Sequence, residues 1–208
     1  MRFKVAMLLT LFCAGFTVNG QDKSTTYMTV FGLKLGQKFT LPECRRMKIT
    51  KNHFVYSGGD SDWCYQRIDA SVDEAKEQPI TNATVLISFP FADRPQLVSG
   101  LSISGQVLDG NLEGIGFNTL GVRDSDEILS ALTEKYGKPT AKDSSEVKTQ
   151  IGATFPRILA SWKLPNLVIV FQSITTQINS GLVTIDSVKC REWRDATLKR
   201  LTNEGRPL

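Results

Sequence analysis

LSISGQVLDGNLEGIGFNTLGVRDSDEILSALTEKYGKP, residues 101–139, holds two strand signatures, the turn between them and a helix with both ends marked. Leu101, Ile103 and Val107 alternate with Ser102, Ser104 and Gln106, the period-two pattern of a strand with one buried face. Asp109-Gly110 follows, a dipeptide that tolerates the positive φ of a tight hairpin turn. Leu112, Ile115 and Phe117 come next, so residues 100–119 read as a hairpin. Gly114 and Gly116 mark a bulge or a close backbone approach within it. Asp124 and Glu127 have capping-box spacing. Ile128, Leu129, Leu132 and Tyr136 then lie on one helical face, Gly137 stands at the cap position and Pro139 blocks continuation.

Working outward, three further strands are expected at Phe155–Lys163, Leu167–Ser173 and Gly181–Val188. Leu164-Pro165-Asn166 turns the first into the second, and the continuously apolar middle one belongs at the centre of a sheet. A last helix spans about Cys190–Leu201, with Cys190, Trp193, Thr197, Leu198 and Leu201 on one stripe. Gly205 and Pro207 end it. From residue 84 the order is three strands, a helix, three strands and a helix. Runs of neighbouring strands imply an α+β domain: an antiparallel sheet with helices packed on one face.

The first half is less regular. Thr29–Leu35 reads as a strand, with Gly32 and Gly36 as punctuation. Thr40-Leu41-Pro42-Glu43 repeats the capping-box pattern and would open a short helix carrying Cys44. Leu35-Gly36-Gln37-Lys38 before it echoes Leu120-Gly121-Val122-Arg123, as a duplicated strand-to-helix unit would.

The chain has 208 residues, 25 Lys and Arg against 21 Asp and Glu, and a formal net charge of +4. Its start, basic Met1–Lys4 and then apolar Val5–Val18, reads as an export signal ending near Gly20. The apolar run is shorter than the roughly 20 residues of a membrane-spanning helix. Without residues 1–20, which hold Arg2 and Lys4, 23 basic residues face 21 acidic ones and the net charge falls to +2. The expected organisation is a signal at 1–20, a cysteine-containing region at 21–82 and the α+β domain at 83–208. A membrane-embedded protein, a disulfide-dense miniature scaffold and a strongly basic nucleic-acid binder are excluded.

Of the four cysteines, Cys13 belongs to the signal, which leaves Cys44, Cys64 and Cys190. Export implies an oxidising compartment, periplasmic or extracellular, where paired cysteines persist. Three single pairings are open. Cys44–Cys64 is favoured because both lie in one polar, turn-rich stretch, and closing that loop would contribute about 3 kcal/mol. Cys190 is then a buried thiol or the link of a covalent homodimer.

Chemistry is sparse. His53 is the sole histidine and lies between Cys44 and Cys64, a solvated position rather than half of a Cys–His pair. Ser57–Asp62 lacks the acidic spacing of a calcium loop and the Gly-Lys-Ser/Thr ending of a phosphate loop. Neither a metal nor a cofactor is expected. The basic C-terminal residues interleave with acids as on an exposed helix face. The loop between the cysteines is different: Arg45 and Arg46 open it, Phe54 and Tyr56 follow, Trp63 closes it, and Tyr65 stands just beyond Cys64. Arg, Tyr and Trp are frequent interface anchors, and a closed loop presents them at reduced ordering cost. The alternative is that Phe54, Tyr56 and Trp63 pack beneath the loop as a satellite core.

Phe31-Gly32-Leu33-Lys34-Leu35-Gly36, Leu41-Pro42-Glu43-Cys44 and Lys135-Tyr136-Gly137-Lys138-Pro139-Thr140 together resemble an uncharacterised family of small exported proteins of Gram-negative bacteria. That resemblance implies a periplasmic location and no known reaction. The element order is also similar to the β-lactamase-inhibitor-like fold, shared with the small lipoprotein of the outer-membrane assembly machinery. Here the lipid-attachment cysteine is missing, and no functional residue carries over from either. The functional expectation is an exported, non-enzymatic module that binds a protein partner, an inhibitor or envelope accessory. An envelope hydrolase using acidic residues and a small-ligand binder in a cleft are the alternatives.

Overall fold

The computed structural model describes residues 28–50, 53–57, 61–68, 79–149 and 151–203, without the side chains of His53 and Phe54. The expected export signal at 1–20 and the stop at Gly205 and Pro207 lie outside these residues. The described strands are β1 (Thr29–Val30), β2 (Leu33–Lys34), β3 (Gln37–Lys38), β4 (Arg45–Thr50), β5 (His53–Ser57), β6 (Cys64–Arg67) and β7 (Ala83–Ser88). They continue with β8 (Ser102–Leu108), β9 (Asn111–Thr119), β10 (Ala141–Lys148), β11 (Thr154–Lys163), β12 (Leu167–Gln172) and β13 (Gly181–Ser187). The helices are α1 (Ser125–Tyr136) and α2 (Val188–Asn203). The fold is therefore mixed and mainly sheet.

One nine-stranded sheet dominates, in the order β10-β11-β12-β13-β9-β8-β7-β6, with β3 also paired to β9. Every pairing between its strands is antiparallel. Strands from before and after residue 83 thus share one sheet. The β8–β9 hairpin turns at Asp109 and Gly110, with φ of 51° and 77°, as Asp-Gly chemistry leads one to expect. A register shift falls at Gln106/Val107, where Val107 pairs with Leu112 but Gln106 pairs with Gly114. Glu113 is the extra residue of that bulge.

Strand alternation sorts the sheet into two faces. Ile115 pairs with Ile185, Ile185 with Ile169 and Ile169 with Trp162. This row belongs to one core cluster with Ile128, Leu132 and Tyr136 of α1. Burying Ile128 and Leu132 stabilises by about 1.5–3 kcal/mol each. The Trp162 indole donates to the Gly137 carbonyl at 2.7 Å, fixing the end of α1 to β11. Gly137 itself sits at φ 83°, ψ −170°, a region essentially reserved for glycine. The other half of this face is covered by residues 28–44, where Phe31 packs edge-on against Phe117 at 5.1 Å. Lys135 donates to the Thr29 carbonyl at 2.6 Å and ties that segment to α1.

The residues one step away, Gly114 and its partner Asp186, face the opposite side. There the Cys190 thiol of α2 donates to Asp186 Oδ1 at 3.3 Å. A Cβ on Gly114 would approach Cys190 Sγ at 2.7 Å, so glycine is what lets α2 come down onto the sheet. The expectation of helices on one face is thereby corrected: α1 and α2 flank the sheet from opposite sides.

Other local expectations change too. Asp124 makes no side-chain cap hydrogen bond; a 3-10 turn over Gly121–Asp124 leads directly into α1. No helix forms at Thr40–Glu43. Instead Tyr65 N donates to Pro42 O at 2.9 Å and Cys44 N to Tyr65 O at 2.8 Å, laying this segment along β6. The echo with residues 120–127 therefore ends in extended chain at one site and helix at the other. Thr29–Leu35 is not one strand but a miniature hairpin, turning at Phe31 (φ 51°) and Gly32 (φ 81°). Strand β10, AKDSSEVK, had no counterpart among the expected elements.

Candidate functional site

The Cys44–Cys64 disulfide is present, with Cα atoms 4.8 Å apart and a sequence separation of 20. It closes the base of an antiparallel β4–β5 hairpin separate from the main sheet. Arg45 pairs with Ser57, Arg46 with Tyr56, Met47 with Val55 and Lys48 with Phe54. The register then shifts, leaving Ile49 as an extra residue between Lys48 and Thr50.

The hairpin is held to the body through Glu43, whose side chain is mostly buried. The Tyr56 hydroxyl donates to Glu43 Oε1 at 2.8 Å. Arg46 and Arg67 flank the same carboxylate, each at 3.8 Å. Burial, and then the hydrogen bond to Glu43, raise the Tyr56 pKa above its ordinary value. Tyr56 and Arg46 are thus engaged in positioning the hairpin.

The remaining candidates divide between core and surface. Tyr65 is buried and packs against Phe39 at 5.2 Å. Trp63 is half-buried with its ring 5.0 Å from Phe89. Of the three aromatics in the satellite-core alternative, Trp63 does pack inward, but against the main core rather than a separate one, and Tyr65 is part of that main core too. Phe54 pairs through its backbone on β5, and its side chain lies outside the described residues. Arg45 is exposed and lines a groove of about 300 Å³ with Pro42, Ser57, Ser61, Asp62, Trp63 and Cys64. The same face of β4 that carries Arg45 carries Met47, 47% exposed, and the bulge presents Ile49, 61% exposed. Neither was singled out from sequence. The signal available was two large apolar residues alternating with Arg46 and Lys48 in a segment too short to build a core of its own.

A second polar cluster lies beneath α2. Ser187 Oγ donates to Glu113 Oε2 at 2.6 Å, and Cys190 N donates to Ser187 Oγ at 3.1 Å. Arg194 Nε lies 3.0 Å from Asp186 Oδ2, and Lys189 bridges Asp109 at 2.8 Å and Glu113 at 3.8 Å. Burial raises the Asp186 pKa against the opposing pull of Arg194. Burial and the Asp186 carboxylate push the Cys190 thiol up to about 12. Cys190 is free and fully buried. Of the two readings of Cys190, the structure supports the buried thiol, its sulfur lying beneath α2, and gives no support to a covalent dimer through it.

Among the described residues, no group of three or more His, Cys, Asp or Glu is arranged to hold a metal ion, and no helix is long and apolar enough to cross a membrane. No protein-family model, curated protein or solved structure matches this chain.

Proposed function

We propose that this is an exported protein-binding module whose recognition surface is the outward face of the β4–β5 hairpin. One observation carries the reading: Met47 and Ile49 stand 47% and 61% exposed on a hairpin locked at its base by a disulfide. Large apolar side chains left this exposed, on a hairpin outside the main sheet, keep much of their apolar surface in water. On a preorganised hairpin they offer contact area whose ordering cost is already met in the free protein. Arg45, on the same face, supplies a charged anchor of the kind that interface centres favour. The disulfide supports a location in an oxidising compartment, in keeping with the export signal expected at residues 1–20. The resemblance to small exported envelope proteins points to the same place.

A photo-crosslinking residue at Met47 tests this in envelope extract. A discrete adduct should form and should vanish when Arg45→Glu and Ile49→Asp are added to the crosslinking protein, with circular dichroism unchanged. An adduct pattern indifferent to those two changes would remove the hairpin from the account.

The groove at the hairpin base favours a second reading, a small polar ligand resting against Trp63 between Arg45 and Asp62. A metabolite that raises the melting temperature of the wild type but not of Trp63→Ala would select it. The hydrolase alternative gains less, because the buried carboxylates Glu113 and Asp186 belong to the cluster beneath α2.

A further inference from the structure

Strand β10 ends the nine-stranded sheet, and Ala141–Glu146 are exposed on both of its faces. It pairs with β11 over eight residues without a register shift. Its outer edge has no strand partner among the described residues. A regular open edge of this length is a template for another strand.

The phase of that edge follows from the turn at its end. Gly152 N donates to Thr149 O at 2.9 Å and Thr149 N to Ala153 O at 2.8 Å, with Gly152 at φ 86°. This makes Thr149 and Ala153 a hydrogen-bonded pair. Alternation then turns the odd residues of β10 toward β11 and leaves Lys142, Ser144, Glu146 and Lys148 with N–H and C=O pointing outward. Pro156 agrees. It stands opposite Glu146, where its missing N–H faces away from β10. On that far side the first hydrogen bonds to the β12 side are made by Ile158, with Ser173, two residues beyond Pro156.

We infer that β10 pairs antiparallel with β10 of a second copy, Ser144 opposite Ser144 on a two-fold axis, to make a continuous sheet across a homodimer. Outward-facing groups must meet outward-facing groups, so even residues pair with even residues. With Ser144 on the axis, Lys142 stands opposite Glu146 twice by symmetry, Ala141 opposite Val147 and Asp143 opposite Ser145. Opposite charges across a strand pair are favourable and like charges are not. The next in-phase register in one direction sets Lys142 against Lys148, and in the other sets Asp143 against Asp143. Charge therefore selects one register, and a two-fold contact of this kind closes on itself rather than propagating.

Sedimentation velocity over a concentration series tests the dimer. Lys142→Glu or Glu146→Lys alone should weaken association by about tenfold, since each places like charges opposite twice. The double charge swap should restore it. Ser144→Cys should give a disulfide-linked dimer under mild oxidation, because a hydrogen-bonded pair sets Cα atoms about 5.5 Å apart. Ser145→Cys, opposite Asp143 and not itself, should not. A protein that stays monomeric throughout, a double swap as weak as the single changes, or equal crosslinking at 144 and 145 would each overturn the inference.

Discussion

Asp186 is 1% exposed, with Arg194 and Cys190 of α2 as its polar neighbours. Burial raises its pKa in the folded chain above the ordinary value of 3.8. Between those two values the folded form holds a proton that the unfolded form has released, so stability falls as pH rises through this window. The contribution is fully present below the unfolded pKa and lost above the folded one. Denaturant titrations of the wild type and Asp186→Asn over a pH series should show the wild type losing ground to the variant as pH increases. A difference independent of pH would refute this. Residue chemistry also marks where sequence is readable. Asp109-Gly110 adopts the positive φ its residue types accept. Phe31 does so against its type, and nothing local announces that. Its ring lies 5.1 Å from Phe117, a contact made across the fold.

At the scale of elements, the Cys44–Cys64 link and the Glu43 cluster both hold the β4–β5 hairpin. Replacing both cysteines by serine removes a constraint on the unfolded chain worth about 3 kcal/mol for a loop of this length. The denaturation midpoint should fall accordingly; an unchanged midpoint would show that Glu43 and its partners alone suffice. The disulfide was legible because both cysteines shared one polar stretch. Which aromatics of the loop faced inward was not, since Trp63 and Tyr65 meet their partners Phe89 and Phe39 only after β6 joins the sheet. The interior strands and α1 were legible for the opposite reason, each having an apolar face with a period. β10 escaped because an edge strand solvated on both faces carries no hydrophobic alternation. The capping box at Asp124 failed for a local reason: the 3-10 turn gives the chain another way into α1.

At the scale of the whole molecule, the nine-stranded sheet is one body and the β4–β5 hairpin stands outside its strand order. Native-state hydrogen exchange should reflect this. Amides of β9, β12 and β13 should open only with global unfolding, while those of β4 and β5 should exchange through local opening at lower free energy. Uniform protection across both groups would contradict the division. The strand order also carries a consequence in time. β9 lies between β8 and β13, and β13 is the last strand of the described chain. As synthesis proceeds from the N-terminus, β3 and β6–β9 emerge first and leave Gly114–Thr119 of β9 without their neighbour on the β13 side. Ile115 waits for Ile185, 70 residues further along the chain. Until then a strand destined for the middle of the sheet is an apolar margin, the kind of surface that attracts wrong partners during folding. The interval before residue 187 emerges is when this protein most needs to be kept from its neighbours.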